Sequence, residues 1–98
     1  MNNFWSNKKV VLLGGASLIG THLADKLMAV GVGGLKIVDD LSAGKLSNIQ
    51  HLIDQGVEFN RRDLRDIQNS LEAVWYADVV FHLAAQHGGR GYVATHDV

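Results

Sequence analysis

The residues best able to do chemistry in this sequence stand close to its start. In VLLGGASLIG (residues 11–20) an apolar run stops at Gly14 and Gly15, Ser17 follows, and Gly20 closes the stretch. Glycine adopts backbone angles closed to other residues and leaves room for a close neighbour. Such a loop between a strand and a helix does one of two things. It relieves a tight turn, or it receives a phosphate whose charge is met by the N–H groups that open the helix. The glycines alone do not separate these.

A carboxylate does. Asp39 stands 19 residues beyond Gly20, at the end of LKIVDD (35–40). At the tip of a second strand, an acid can accept both ribose hydroxyls of an adenine dinucleotide, and its charge repels a 2′-phosphate. Strand, loop, helix, strand and acid in this order favour the phosphate-loop reading, with NAD preferred over NADP.

The elements that must position these groups follow from periodicity. KVVLL (9–13) is a short continuous apolar run, as in a strand buried on both faces. From Leu18 the period lengthens. Ile19, Leu23, Leu27 and Val30, flanked by Ala24 and Met28, recur at helical spacing, and Gly31 stands where a helix C-terminal glycine belongs. The second strand is 35–40. Leu46, Ile49 and Ile53 form a second helical stripe stopped by Gly56, and VEF (57–59) is a third strand. Asp66 can cap a third helix with the stripe Ile67, Leu71, Val74 and Trp75, and ADVVFHLAA (77–85) is a fourth strand. The order β-α-β-α-β-α-β implies an α/β fold of parallel strands joined by right-handed crossovers.

Composition narrows the classes. With 98 residues the chain makes at most one domain, and 47% hydrophobic against 19% charged residues argues against disorder. A net charge of -1 without a basic stripe gives no footprint for nucleic acid. Lys8-Lys9 and Arg61-Arg62 read as solvated charges beside strands. No cysteine is present, which removes disulfides, thiolate chemistry and sulfur-ligated zinc. MNNFWSNKKV lacks the order of a signal peptide and no apolar run approaches a membrane span, so a soluble cytoplasmic protein without membrane contact is expected.

GGASLIG, VDDLSAGKLSNI, RDLRD and VVFHLAA, in this order, resemble the N-terminal half of an extended short-chain dehydrogenase/reductase. More narrowly, they resemble an NAD-dependent nucleotide-sugar epimerase or dehydratase, and the likeness runs from about Lys9 to Tyr92. The family's loop is usually T-G-G-x-G-aromatic-I-G. Here Leu13 replaces the threonine, Ser17 the middle glycine and Leu18 the aromatic residue. A side chain at Ser17 stands where it would collide with a pyrophosphate, unless its hydroxyl donates to a phosphate oxygen.

The resemblance implies a Rossmann-type parallel sheet with helices on both faces and NAD as cofactor. Gly14, Ser17, Leu18, Ile19 and Gly20 would follow the pyrophosphate, and Asp39 would hold the adenosine ribose. Asp40, Leu41, Ser42 and Lys45 would border that ribose and the adenine. Asp63 and Leu64 would flank the adenine ring, although Asp63 reads equally as a loop cap or an ion-pair partner of Arg62 or Arg65. Leu83, Ala84 and Ala85 would face the nicotinamide ribose. The tail AAQHGGRGY resembles the segment of GDP-mannose 3,5-epimerases in which a double glycine, here Gly88 and Gly89, borders the sugar. Gln86, His87 and Arg90 depart from that pattern, and a plain flexible loop is the other reading.

The family's chemistry needs a Tyr-x-x-x-Lys pair, in which the lysine lowers the tyrosine pKa for proton transfer as hydride moves to the ring. Four residues after Tyr76 and Tyr92 stand Val80 and His96, and no lysine follows Lys45. The five histidines share no spacing typical of a metal site, and His82 reads as a packed strand residue. The expectation is a partial NAD-binding Rossmann domain over 1–98, truncated after the fourth strand, with no second domain, no catalytic residue and no metal. It would meet a nucleotide sugar only in a longer form. The alternative is a stand-alone Rossmann module that binds or self-associates without catalysis. A superfamily reductase is a third reading. Either way, the fourth strand would present an apolar edge, so a homo-oligomer, most simply a dimer, is expected.

Overall fold

In the computed structural model, which describes residues 3–83, the chain runs β1 (Lys9–Leu13), α1 (Leu18–Ala29), β2 (Gly34–Asp39) and a 3₁₀ turn (Leu46–Asn48). It continues through α2 (Gln50–Asp54), β3 (Glu58–Arg61), α3 (Ile67–Ala73) and β4 (Val79–His82). The strands pair in parallel in the order β3-β2-β1-β4. Val10, Val11, Leu12 and Leu13 of β1 are all buried, as an unbroken apolar run covered on both faces requires. The chain moves outward from β1 through α1 to β2, then returns from β3 through α3 to β4. Right-handed crossovers therefore put α1 and α3 on opposite faces, and the winding direction switches between β1 and β4.

One face is thick. Val10, Leu12, Leu35 and Ile37 pack against Ala24 and Leu27 of α1 and against Ile49 and Leu52 around α2. The other is thin, with Val11, Leu13 and Val38 meeting Ala73 of α3, bordered by Leu64, Val74 and Ala77. α1 ends as expected. Gly31 has a φ of +80°, and its N–H donates to the Met28 carbonyl at 3.1 Å, while the Val32 N–H reaches Leu27 at the same distance. These bonds satisfy two otherwise orphaned carbonyls and bring Val32 against the thick core.

Several boundaries and faces differ from expectation. β2 is Gly34–Asp39 rather than 35–40, and β3 is Glu58–Arg61 rather than 57–59, because parallel pairing with β2 runs from Lys36–Glu58 to Asp39–Arg61. β4 spans Val79–His82 within the described residues. The stripe Leu46, Ile49, Ile53 is not one helix: Ile49 separates the 3₁₀ turn from α2, and Leu46 is exposed. In α1 the inward face is Gly20, Ala24 and Leu27, so Ile19 and Val30 fall outside it. The largest departure is at α3, where Ile67, Leu71 and, past the helix end, Trp75 face solvent, and only the C-cap Val74 of the expected stripe reaches the core. Finally, His82 is exposed, because its register partner Leu13 and neighbour Val80 place it on the thin face, beyond α3.

Candidate functional site

Parallel strands bring all their C-terminal ends to one edge, and the chemically marked residues gather there. Gly14 continues β1 with a φ of +85° and donates its N–H to the Val38 carbonyl at 2.6 Å. The Leu83 N–H donates to the Leu13 carbonyl at 2.7 Å, so the end of β4 lies against the loop at the point where the winding switches. Ser17 is the N-cap of α1. Its hydroxyl oxygen accepts the Gly20 N–H at 3.0 Å, and its carbonyl accepts from both the N–H and the hydroxyl of Thr21. Among the described residues, the N–H groups of Ser17, Leu18 and Ile19 have no acceptor. The Leu18 and Ile19 side chains point into solvent. The opening of α1 thus presents donors and positive dipole at the sheet edge, which suits an anion.

Asp39 is 7% exposed and is the one charged residue in the core of the described chain. Its Oδ2 accepts the Ala16 N–H at 3.0 Å and its Oδ1 accepts the Leu41 N–H at 2.7 Å. The acid braces the glycine loop against the loop that follows β2. Leu41 takes a left-handed φ of +64°, unusual for its type, while its side chain packs on the thick core. The Ser42 N–H donates to Asp40 Oδ1 at 2.9 Å, and together with the Ser42 hydroxyl it holds the Asp40 carboxyl below the usual carboxylate range.

Asp63 is both a loop cap and an ion-pair partner of Arg65. Arg65 donates to its carboxylate from Nε and Nη2, both at 3.0 Å, and from its backbone N–H at 2.9 Å. The guanidinium bonds, then the backbone bond, pull Asp63 down from 3.8 to about 2. A depressed carboxyl stabilises the fold above its unfolded value, so this contribution is complete above about pH 4 and is lost as pH falls from 3.8 toward 2. In Arg65→Ala the Asp63 carboxyl is expected to titrate back near 3.8, read by NMR of its side-chain carbon. The Arg62 N–H donates to the Asp39 carbonyl at 3.3 Å, so the loops after β2 and β3 lie side by side. Leu64 is partly buried against the edge of the thin core. Arg62 is tied to Glu72 at 2.9 Å and is not a free solvated charge.

The structure therefore brings together Gly14, Ser17, Leu18, Ile19, Gly20, Asp39, Asp40, Leu41 and Ser42, with Asp63 past the end of the neighbouring strand and Leu83 beside Gly14. Ala84, Ala85, Gly88 and Gly89 lie outside the described residues. Two contacts were not anticipated. Asn48 donates its side-chain N–H to the Ala16 carbonyl at 2.8 Å, and Gly44 lies directly on Ala16. The only signal for either is their place in SAGKLSN, between Asp39 and a buried isoleucine.

A doubly wound parallel sheet with a glycine loop and a buried acid at its switch point is the architecture of a dinucleotide-binding fold. The comparisons with known proteins define it further: residues 10–97 match the NAD dependent epimerase/dehydratase family, and the chain belongs to that family. A curated relative, UDP-glucose 4-epimerase of Mycolicibacterium smegmatis, is 36% identical over 80 residues, covering 80% of this chain and 25% of that protein. Among solved structures, the Bordetella bronchiseptica enzyme WbmF in complex with NAD+ superimposes with a TM-score of 0.73 at 30% identity, over 88% of this chain and 26% of that one. The Thermus thermophilus UDP-glucose 4-epimerase complex with NAD gives 0.66 at 36% identity, over 80% and 24%. The chain thus spans about a quarter of the length of these relatives.

Proposed function

We propose that this chain is the NAD-binding N-terminal portion of a nucleotide-sugar epimerase or dehydratase, a partial Rossmann domain over residues 1–98. The observation that carries the reading is the set of N–H groups at Ser17, Leu18 and Ile19, without acceptors among the described residues, at the switch point beside Asp39. In this reading the pyrophosphate follows Gly14, Ser17, Leu18, Ile19 and Gly20. Asp39 faces the adenosine ribose, bordered by Asp40, Leu41 and Ser42, with Asp63 and Leu64 toward the adenine. Leu83, Ala84 and Ala85 lie toward the nicotinamide ribose, and Gly88 and Gly89 toward a sugar. Bound NAD would supply hydride acceptance and return. The chain's own residues bind and orient it, and none is assigned a proton-transfer role because no Tyr-x-x-x-Lys pair is present.

The test is calorimetric titration with NAD beside Ser17→Gly. The serine hydroxyl occupies the Gly20 N–H and places a side chain where a phosphate would approach. Removing it frees a third donor of the first helical turn at a cost of only a few tenths of a kcal/mol in capping. NAD is expected to bind Ser17→Gly roughly three- to ten-fold more tightly, in keeping with one charge-assisted hydrogen bond. Weaker binding would make the hydroxyl itself a phosphate ligand. Silence of both proteins at millimolar NAD would overturn the assignment.

Self-association belongs to the same reading. β4 pairs only with β1 among the described residues, and Val80 on it is exposed. We infer a homodimer through this edge, in the cytoplasm, where a chain without cysteines has no need of disulfides. Sedimentation over a range of concentrations should show reversible dimerisation, and a monomer throughout would refute it. Among the described residues no helix is long and apolar enough to cross a membrane.

A further inference from the structure

We propose that Asn48 is a positioning residue that aims the Ser17 N–H at the anion site; the inference rests on the NAD reading above. Ala16 is held on both of its flanking peptides. Its N–H donates to Asp39 Oδ2 at 3.0 Å, and its carbonyl accepts the Asn48 side chain at 2.8 Å and the Lys45 N–H at 3.3 Å. Ala16 itself is fully buried. The carbonyl of Ala16 and the N–H of Ser17 belong to one peptide plane, and in a trans peptide they point in opposite directions. Drawing the Ala16 oxygen toward Asn48 therefore turns the Ser17 N–H away from it, and that N–H has no acceptor among the described residues. Asn48 can fix this direction because its own backbone is anchored: Ile49 beside it is fully buried, and the Asn48 N–H donates to the Lys45 carbonyl at 3.0 Å. Gly44 seals the arrangement, since a Cβ there would stand 2.8 Å from the Ala16 oxygen. The loop after β2 thus acts on the phosphate loop through one peptide.

Asn48→Asp keeps the shape and removes the donor, setting a carboxylate oxygen against a carbonyl; Asn48→Ala removes the amide without adding charge and serves if Asn48→Asp does not fold. Two readouts are taken on each variant. In the ligand-free protein, the ¹⁵N amide signal of Ser17 should shift and its hydrogen exchange should quicken, while the amides of Ala24 and Leu27 stay as in wild type. NAD should then bind about ten-fold more weakly, by calorimetry on protein shown folded by its thermal transition. An unmoved Ser17 amide overturns the proposal. So does a moved amide with NAD affinity unchanged, which would leave Asn48 a merely structural residue. If wild type itself binds no NAD, the functional reading fails and takes the anion role with it, and the Ser17 amide still reports whether Asn48 holds the peptide.

Discussion

Gly20→Ala is expected to lower stability by about 2–3 kcal/mol in urea unfolding and to remove NAD binding, although local preference points the other way. In a helix, alanine is favoured over glycine by about 1 kcal/mol, so an isolated α1 would gain from the change. Tertiary contact decides the sign. A Cβ on Gly20 would stand 2.6 Å from the Gly15 carbonyl oxygen, 2.7 Å from its Cα and 2.8 Å from its carbonyl carbon. All three are backbone atoms of the loop, which is itself pinned by Gly14 to β2 and by Ala16 to Asp39. Neither side can yield by a rotamer change, so the first turn of α1 must lift from the loop. Lifting it pulls the Gly20 N–H from Ser17 and misaligns the Leu18 and Ile19 donors. A loss of this size is a large fraction of the roughly 5–15 kcal/mol of a typical domain. A gain of about 1 kcal/mol would mean that α1 approaches the loop less closely than the structure has it.

How much of this was legible in advance depended on whether one local rule governed a residue. The bounds of β1 and the start of α1 were readable because an apolar run, a glycine loop and a helical period each end where the next begins. The glycine exit of α1 was readable for the same reason. Leu41 was not, because its left-handed backbone is imposed by the bond to Asp39 and the pull of the thick core, and leucine carries no turn signal. Asn48 and Gly44 were not, because their partner Ala16 is 32 residues away in the first case and no spacing rule spans that distance. α3 shows the complementary failure. Its apolar period is real, yet the thin face offers apolar partners only along β1, Val38 of β2 and β4. The neighbouring positions Lys36, Glu58 and Asn60 are polar, so helical spacing could not say which flank would be covered. The acid at the tip of β2 was found from its position, while its burial and its bond to Ala16 came only with the fold.

That burial changes what Asp39 variants should do. Asp39→Ala is expected to lose about 2–4 kcal/mol, because it leaves the Ala16 and Leu41 N–H groups without partners, and each unsatisfied buried donor costs about 1–3 kcal/mol. Asp39→Asn should lose roughly half as much, since one amide oxygen still accepts while the NH₂ faces the other donor. Loss of NAD binding in Asp39→Ala therefore does not separate a ribose ligand from a loop brace. The two cofactors do. If the carboxylate faces the ribose, its charge repels a 2′-phosphate, and neutralising it should weaken NAD while NADP holds or improves, moving the NAD to NADP preference by ten-fold or more. If the acid serves only to tie Ala16 to Leu41, the damaged loop should lose both cofactors in the same proportion. Fluorescence titration of folded Asp39→Asn with NAD and NADP reads that ratio directly. A preference that moves toward NADP places the adenosine over Asp39, and an unchanged ratio assigns the acid to the fold alone.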